Sequence, residues 1–339
     1  MGIGTFVVGP ISDCIGRRPV IAIGLFIYIT MASVAYFSNS METLLLARFF
    51  QGLGTAAPRI FTQTIIRDIY SGREMAQVLS LVMIIFTVVP ALAPLIGDQI
   101  IKSFGWRGVF PAFSEFCFVL LIRYNKRLGE TLIKIENFFV FSKIWPSLVL
   151  MYMNKQVRYA ICIQTFCYGT LFSSLVLIQP IFDVIFQRGT TFPLWFGLIA
   201  IIGATASILN AKLVIIHGMR SMVLYPLITQ VVFSGLVIIY LVILPQTGNI
   251  AFLLYFVRQT MIFFQAGLTL GNLNALALEP MGQIAGFAAS VVGGIATVFG
   301  SVLSMGVNIS FNGTPLPLMV YTFLMALVGL LFTIAIKRE

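Results

Sequence analysis

The stretch Val20-Ile-Ala-Ile-Gly-Leu-Phe-Ile-Tyr-Ile-Thr-Met-Ala-Ser-Val-Ala-Tyr-Phe37 runs without a single charged residue. As an α-helix it would rise about 27 Å, close to the roughly 30 Å of a bilayer's hydrocarbon core. Arg17-Arg18-Pro19 precede it and Ser38-Asn39-Ser40 follow it, so charge and turn residues close it at both ends. A segment of that length and character is a transmembrane helix.

Read outward from it, the pattern returns along the rest of the chain. Thr43–Ile66, Gln77–Ile101, Gly108–Ile122, Val157–Phe186 and Pro193–Ile216 are apolar runs closed in the same way. So are Met222–Leu244, Ile250–Leu278, Ile284–Ile309 and Pro317–Ile336. Upstream, Met1–Val8 would rise only about 12 Å as helix, too short to cross. It lacks the basic start and small-residue cleavage site of a signal peptide. The pattern therefore predicts about ten full spans plus a stub, with the chain beginning inside a span.

Composition leads to the same class. The 339 residues are 59% hydrophobic and 9% charged, against about 45–50% apolar and about 25% charged in a soluble domain. A water-soluble enzyme, a disordered tail and a disulfide-stapled secreted module are excluded. Backbone facing lipid must satisfy its own hydrogen bonds, and alternating ten-residue barrel strands are absent, so the fold class is an all-α polytopic membrane protein. Cys14, Cys117, Cys162 and Cys167 have no metal-binding spacing and read as small apolar residues. No cofactor or metal is called for.

The net charge of +10 follows membrane sidedness rather than nucleic acid. Placing Arg17 and Arg18 in the cytoplasm brings Arg67, Arg73, Arg123, Lys126, Arg127, Lys134, Lys143, Lys155, Arg158, Lys212, Arg220, Lys337 and Arg338 with them. Only Lys102, Arg107 and Arg188 then fall outside, while Arg48, Arg59 and Arg258 stay within helices. The longest stretch with interleaved charge, 125–155, is expected to be a cytoplasmic central loop with an interfacial helix. It separates an incomplete N-terminal helical bundle, 1–124, from a C-terminal six-helix bundle, 156–339.

Four motifs carry more than topology. Gly9-Pro-Ile-Ser-Asp13-Cys14-Ile-Gly16-Arg17-Arg18 joins the stub to the first full span, with Asp13 able to pair with Arg17 one turn on. Leu44-Leu-Leu-Ala-Arg48-Phe-Phe-Gln51-Gly52-Leu-Gly54 puts an arginine inside a span beside small residues. An intramembrane arginine is functional by default. Pro90-Ala-Leu-Ala-Pro94-Leu-Ile-Gly97-Asp98 holds two helix-bending prolines. Gly218-Met-Arg220, between two later spans, echoes Gly16-Arg17-Arg18.

These motifs resemble those of the major facilitator superfamily: its loop between helices two and three, its helix-four motif and its antiporter motif of helix five. Cys14 stands where the family carries a basic residue, and Ala93 and Asp98 stand where glycines are usual. Arg67-Asp68, Gly105-Trp106-Arg107, Gly129-Glu130-Thr131-Leu132 and Leu278-Glu279-Pro280-Met281-Gly282 are similar to the Bcr/CflA-like branch of drug:proton antiporters. The resemblance implies a two-bundle fold lacking the first helix and part of the second. It implies proton-coupled efflux of amphipathic drug-like compounds by alternating access, from a monomer in the bacterial inner membrane with the central loop and C-terminus in the cytoplasm. It assigns proton coupling and gating to Arg48, Asp13 and Arg17, and conformational roles to Gly9, Gly16, Arg18, Gln51, Gly52, Gly54, Pro90, Pro94 and Gly97.

The residues themselves add further candidates. Glu115 lies in the middle of a span, as a proton carrier requires. Gln164, Tyr168, Gln179, Arg258, Gln265, Asn272 and Asn274 are polar groups within spans, suited to anchor substrate in a cavity otherwise apolar. No HExxH, Gly-x-Ser-x-Gly or Walker-type loop supports an enzyme. An inactive truncated remnant of a carrier is the alternative that the short first segment, Cys14, Asp98 and Glu115 leave open.

Overall fold

A computed structural model of the protein describes residues 16–58, 89, 92–127, 141–244 and 247–336, and every regular element among them is helical. In chain order these are α1 (Arg17–Phe37), α2 (Met41–Gly54), α3 (92–104), α4 (Val109–Arg127) and α5 (Phe141–Met153). Then come α6 (Lys155–Pro180), α7 (Phe192–Ile243), α8 (Asn249–Leu278), α9 (Ala285–Ile309) and α10 (Leu316–Ala335). Six stretches among the described residues are long and apolar enough to cross a bilayer. Their outer faces keep large apolar side chains uncovered, with Phe26 63%, Leu236 60% and Leu331 59% exposed, which is untenable in water and suits lipid.

Local chemistry sets the element ends. Ser40 caps α2, its hydroxyl accepting from the Thr43 N–H, and Asn154 caps α6 by accepting from Gln156 and Val157. The 52 residues of α7 would reach about 78 Å if straight, over twice the hydrocarbon thickness. The helix instead breaks at Gly218, whose φ of 74° and ψ of 159° suit glycine. Its two arms, 192–217 and 219–243, are the two spans that the apolar pattern separates there. At the far end of α6, Pro180 leads into a π-helical turn, Ile181–Ile185. The thirteen residues of α5 rise about 20 Å, too few to cross, and leave Trp145 and Tyr152 uncovered.

The chain forms two compact units. One draws on residues 1–86 and 95–146, the other on 87–94 and 147–339. In the first, α1 packs on α2 and α4. Gly24 and Gly54 let α1 and α2 meet backbone to backbone, since a Cβ built on Gly54 would lie 2.5 Å from the Gly24 carbonyl oxygen. In the second, α8 packs on α6 and α7, while α6 also carries α9 and α10. Gly300 of α9 lies so close to α6 that an added Cβ would meet Tyr168 Cβ at 2.7 Å. That close contact falls on the Ala296, Gly300, Ser304 stripe of small residues.

Each unit repeats one device. Gly16, at φ 91° and ψ 159°, turns the chain into α1, and Arg18 Nη2 donates to the Asn125 carbonyl near the end of α4 at 2.6 Å. Gly218 turns the chain into the second arm of α7, and Arg220 Nη2 donates to the Ile334 carbonyl near the end of α10 at 3.2 Å. The last carbonyls of a helix lack intrahelical donors, so each arginine satisfies an otherwise orphaned group.

Candidate functional site

In the N-terminal unit, α2 buries the stripe Ala47, Gln51 and Gly54. Arg48 sits about 100° off that stripe and is exposed on its unit. Its Nη1 donates to Gln51 Oε1 at 2.8 Å, and its guanidinium carbon lies 6.0 Å from the Phe110 ring centre. Arg48 is thus held by a neutral amide and an aromatic face, with no carboxylate among the described residues fixing it. Gly52 provides a carbonyl that accepts from the Thr55 hydroxyl.

Glu115 is exposed into a cleft of about 490 Å³ between α1 and α4, with Ser33, Tyr36 and Ser114 as its polar neighbours. It forms no ion pair with Arg48. Asp98 is taken by Lys102, one turn on, at 2.7 Å. Arg107 Nη2 donates to the Ser38 carbonyl at 2.8 Å, joining the loop after α1 to the turn before α4. Arg17 opens α1 half-buried. Pro94 is half-buried in α3, and a Cβ on Gly97 would meet nothing within 4 Å, so no close helix contact depends on that glycine. Gly9, Asp13, Cys14, Arg59 and Pro90 lie outside the described residues.

The C-terminal unit organises its polar groups around α8. Arg258, Gln265 and Asn272 recur every seven residues, which keeps them on one buried face. Asn272 Nδ2 donates to Asn210 Oδ1 on the first arm of α7 at 2.6 Å. Gln265 Nε2 reaches Cys167 Sγ on α6 at 3.7 Å. Arg258 donates through Nε to Ser234 Oγ on the second arm of α7 at 3.1 Å, and through Nη2 to Thr322 Oγ1 on α10. One helix is thereby bonded to three others.

Two candidates do not join this face. Asn274 is two residues from Asn272, a rotation of about 200°, and points away from the stripe. Gln179 lies at the C-terminal end of α6 and is exposed, whereas Gln164 on the same helix is buried and Tyr168 half-buried against the Phe172 ring at 5.4 Å.

The structure also brings together residues that sequence reading missed. Phe182, Phe186, Phe192, Trp195, Phe252 and Tyr255 interlock at the π-helical end of α6, with centroid separations of 5.0–6.0 Å. Arg188 lies 4.0 Å over the Phe252 ring and donates to Asn249 Oδ1. The π-helical turn with the residue that follows it, α7 and α8 supply these rings, so no local spacing announces them. Ser234 and Thr322 were findable in principle, because a buried arginine demands acceptors and intramembrane hydroxyls are the nearest source.

Apolar helices with lipid-facing outer surfaces, arranged in two units that share one turn-and-arginine device, define a multi-pass membrane protein. The chain belongs to the Major Facilitator Superfamily, whose family model matches residues 1–305. It is 28% identical to the uncharacterized MFS-type transporter YdgK of Bacillus subtilis, covering 99% of this chain and 83% of that one. It is 26% identical to the bicyclomycin resistance protein homolog of Haemophilus influenzae, covering 89% of this chain and 75% of that one. Among solved structures, a D-xylose-proton symporter matches with a TM-score of 0.77 at 12% identity, over 100% of this chain and 85% of that one, and shows a shared fold. Family membership makes the chain a transporter rather than an enzyme.

Proposed function

We propose that the chain exports amphipathic drug-like compounds in exchange for protons, working by alternating access of its two helical halves. The observation that carries this reading is the repeated clasp, Gly16 with Arg18 on Asn125 and Gly218 with Arg220 on Ile334. A carrier that rocks one half against the other needs equivalent halves. The name of the Haemophilus influenzae relative, a bicyclomycin resistance protein homolog, supports a drug as cargo.

Arg48 is the coupling group in this reading, with Asp13, Arg17 and Glu115 as the acidic and basic groups that exchange charge with it or gate the movement. A guanidinium held by the Gln51 amide and the Phe110 ring alone among the described residues can change partners as a nearby carboxylate gains or loses its proton. Substrate is anchored by the polar groups of the C-terminal half, Arg258, Gln265, Asn272, Gln164 and Tyr168. The protein works as a monomer in the bacterial inner membrane, its ten or so spans oriented so that the central loop, with α5 along the membrane surface, and the C-terminus face the cytoplasm.

Drug accumulation in an efflux-deficient bacterial host tests the proposal. Cells expressing the chain should hold less of a fluorescent amphipathic drug than empty-vector cells, and a proton uncoupler should erase the difference. Equal accumulation with and without the chain would contradict it.

A further inference from the structure

One buried charge in the C-terminal unit has no counter-charge among the described residues. Arg258 is wholly buried, and the two groups that hold its guanidinium, Ser234 and Thr322, are neutral hydroxyls. Its Nη1 has no hydrogen-bond partner. The unit's two described carboxylates are placed elsewhere: Glu279 accepts from Gln156 Nε2 at 3.2 Å, and Asp183 is exposed at the π-helical turn. Arginine does not shed its proton in proteins, and a buried cation without an anion is strongly unfavourable.

Other unmatched groups lie beside it along α8. The Tyr255 hydroxyl and the Gln259 amide are both fully buried and have no partners. With Arg258 they fall within an arc of roughly 100° on the helix. An O–H, an amide N–H and a free guanidinium N–H are the donors an anion requires. The site also has an approach. Ser234 Oγ, which accepts from Arg258, accepts from Gln230 Nε2 at 3.2 Å as well. Gln230 and Gln265 line a cavity of about 310 Å³ whose other walls include Met222, Tyr225 and Phe264. The guanidinium therefore stands one hydroxyl behind a largely apolar cavity.

We propose that Arg258, with Tyr255 and Gln259, forms a binding site for a singly charged anionic group, a carboxylate or a halide, reached from the cavity lined by Gln230 and Gln265. The site rests on the reading of Arg258 as a cavity group and specifies its chemistry. A carboxylate carried on an apolar tail would place its charge at Arg258 and its tail against Met222 and Phe264. A halide would sit at the guanidinium alone.

Thermal unfolding of the full chain, purified in a neutral detergent, tests this directly. The probes are sodium chloride, sodium octanoate below its micellar concentration, and neutral octanamide, each compared with sodium sulfate at equal ionic strength. Octanoate or chloride should raise Tm saturably by a few degrees relative to sulfate, as a ligand specific to the folded state does, while octanamide should not. A rise with chloride supports the site with an inorganic ion as occupant, and a rise with octanoate alone supports it with an anionic amphiphile. Arg258→Gln should abolish the rise, and Arg258→Lys should retain part of it. If Arg258→Gln does not fold, Tyr255→Phe serves instead and should weaken the apparent anion affinity several-fold. Identical melting in every salt, or an undiminished rise in Arg258→Gln or Tyr255→Phe, would overturn the proposal. Because binding is read without transport, absence of drug efflux leaves this outcome unaffected.

Discussion

Arg48 and Arg258 occupy comparable stations in the two units: Arg48 lies eight residues after Ser40, the cap of α2, and Arg258 lies ten after Gly248, the cap of α8. Their surroundings are opposite. Arg48 is exposed on its unit and held by one side-chain amide. Arg258 is sealed inside its unit and fastened to two further helices through Ser234 and Thr322. The difference separates two uses of one residue type. In the proposed transport cycle the cation with a single neutral side-chain partner exchanges partners, whereas the cation tied at two corners holds helices together and is the proposed anion site. The turns that carry these helices do not diverge in the same way. Gly16 and Gly218 share their backbone conformation, and the arginine two residues on clasps the end of α4 in one unit and of α10 in the other.

Breaking the close packing that positions these helices should have the largest effect. Gly54→Val or Gly24→Val would force α1 and α2 apart where backbone meets backbone. A loss of roughly 1–3 kcal/mol is expected, the range for overpacking a tight interface, measured as lowered thermal stability in detergent. In the C-terminal unit, Gly235→Ala places a Cβ no closer than 3.6 Å to the Phe323 ring and should change little.

The repeated turn gives a sharper test of equivalence. Gly16→Ala and Gly218→Ala each impose a side chain on a backbone conformation that is essentially glycine's alone, at a cost of roughly 1–3 kcal/mol. Two equal losses of stability would uphold the repeat. A loss confined to one turn would show that the halves carry the device for different reasons. The smallest effect belongs to the asparagines of α8. Asn272→Ala removes the bond to Asn210 and should cost about 0.6 kcal/mol, typical of an interhelical bond in lipid. Asn274→Ala should cost less than about 0.5 kcal/mol, as a substitution away from any network does.

Much of the architecture could be read before any coordinates. Helices α1, α8, α9 and α10 begin and end within three residues of the apolar runs Val20–Phe37, Ile250–Leu278, Ile284–Ile309 and Pro317–Ile336. Lipid imposes a simple rule on length and polarity, and turn residues close each run. The echo in Gly218-Met-Arg220 likewise marked the break in α7, because only a glycine readily takes that φ. The candidate site was less legible. Seven-residue spacing places Arg258, Gln265 and Asn272 together, but the same helical geometry sets Asn274 apart, and a list of polar residues within spans does not distinguish them. Arg48 stands off the packed stripe of α2, which Ala47, Gln51 and Gly54 form. Gly24 and the rings around Phe182 owe their roles to which helices are neighbours, and periodicity within one helix carries no such information.

The central claim is that two helical halves of one plan move drug against protons through the mobile guanidinium of Arg48. Proton movement driven by drug addition to everted membrane vesicles tests it most directly, comparing the native chain with Arg48→Gln and following drug binding alongside. The account predicts that the native vesicles move protons when drug is added, and that Arg48→Gln binds the drug yet moves none. Equal proton movement by both chains would contradict it.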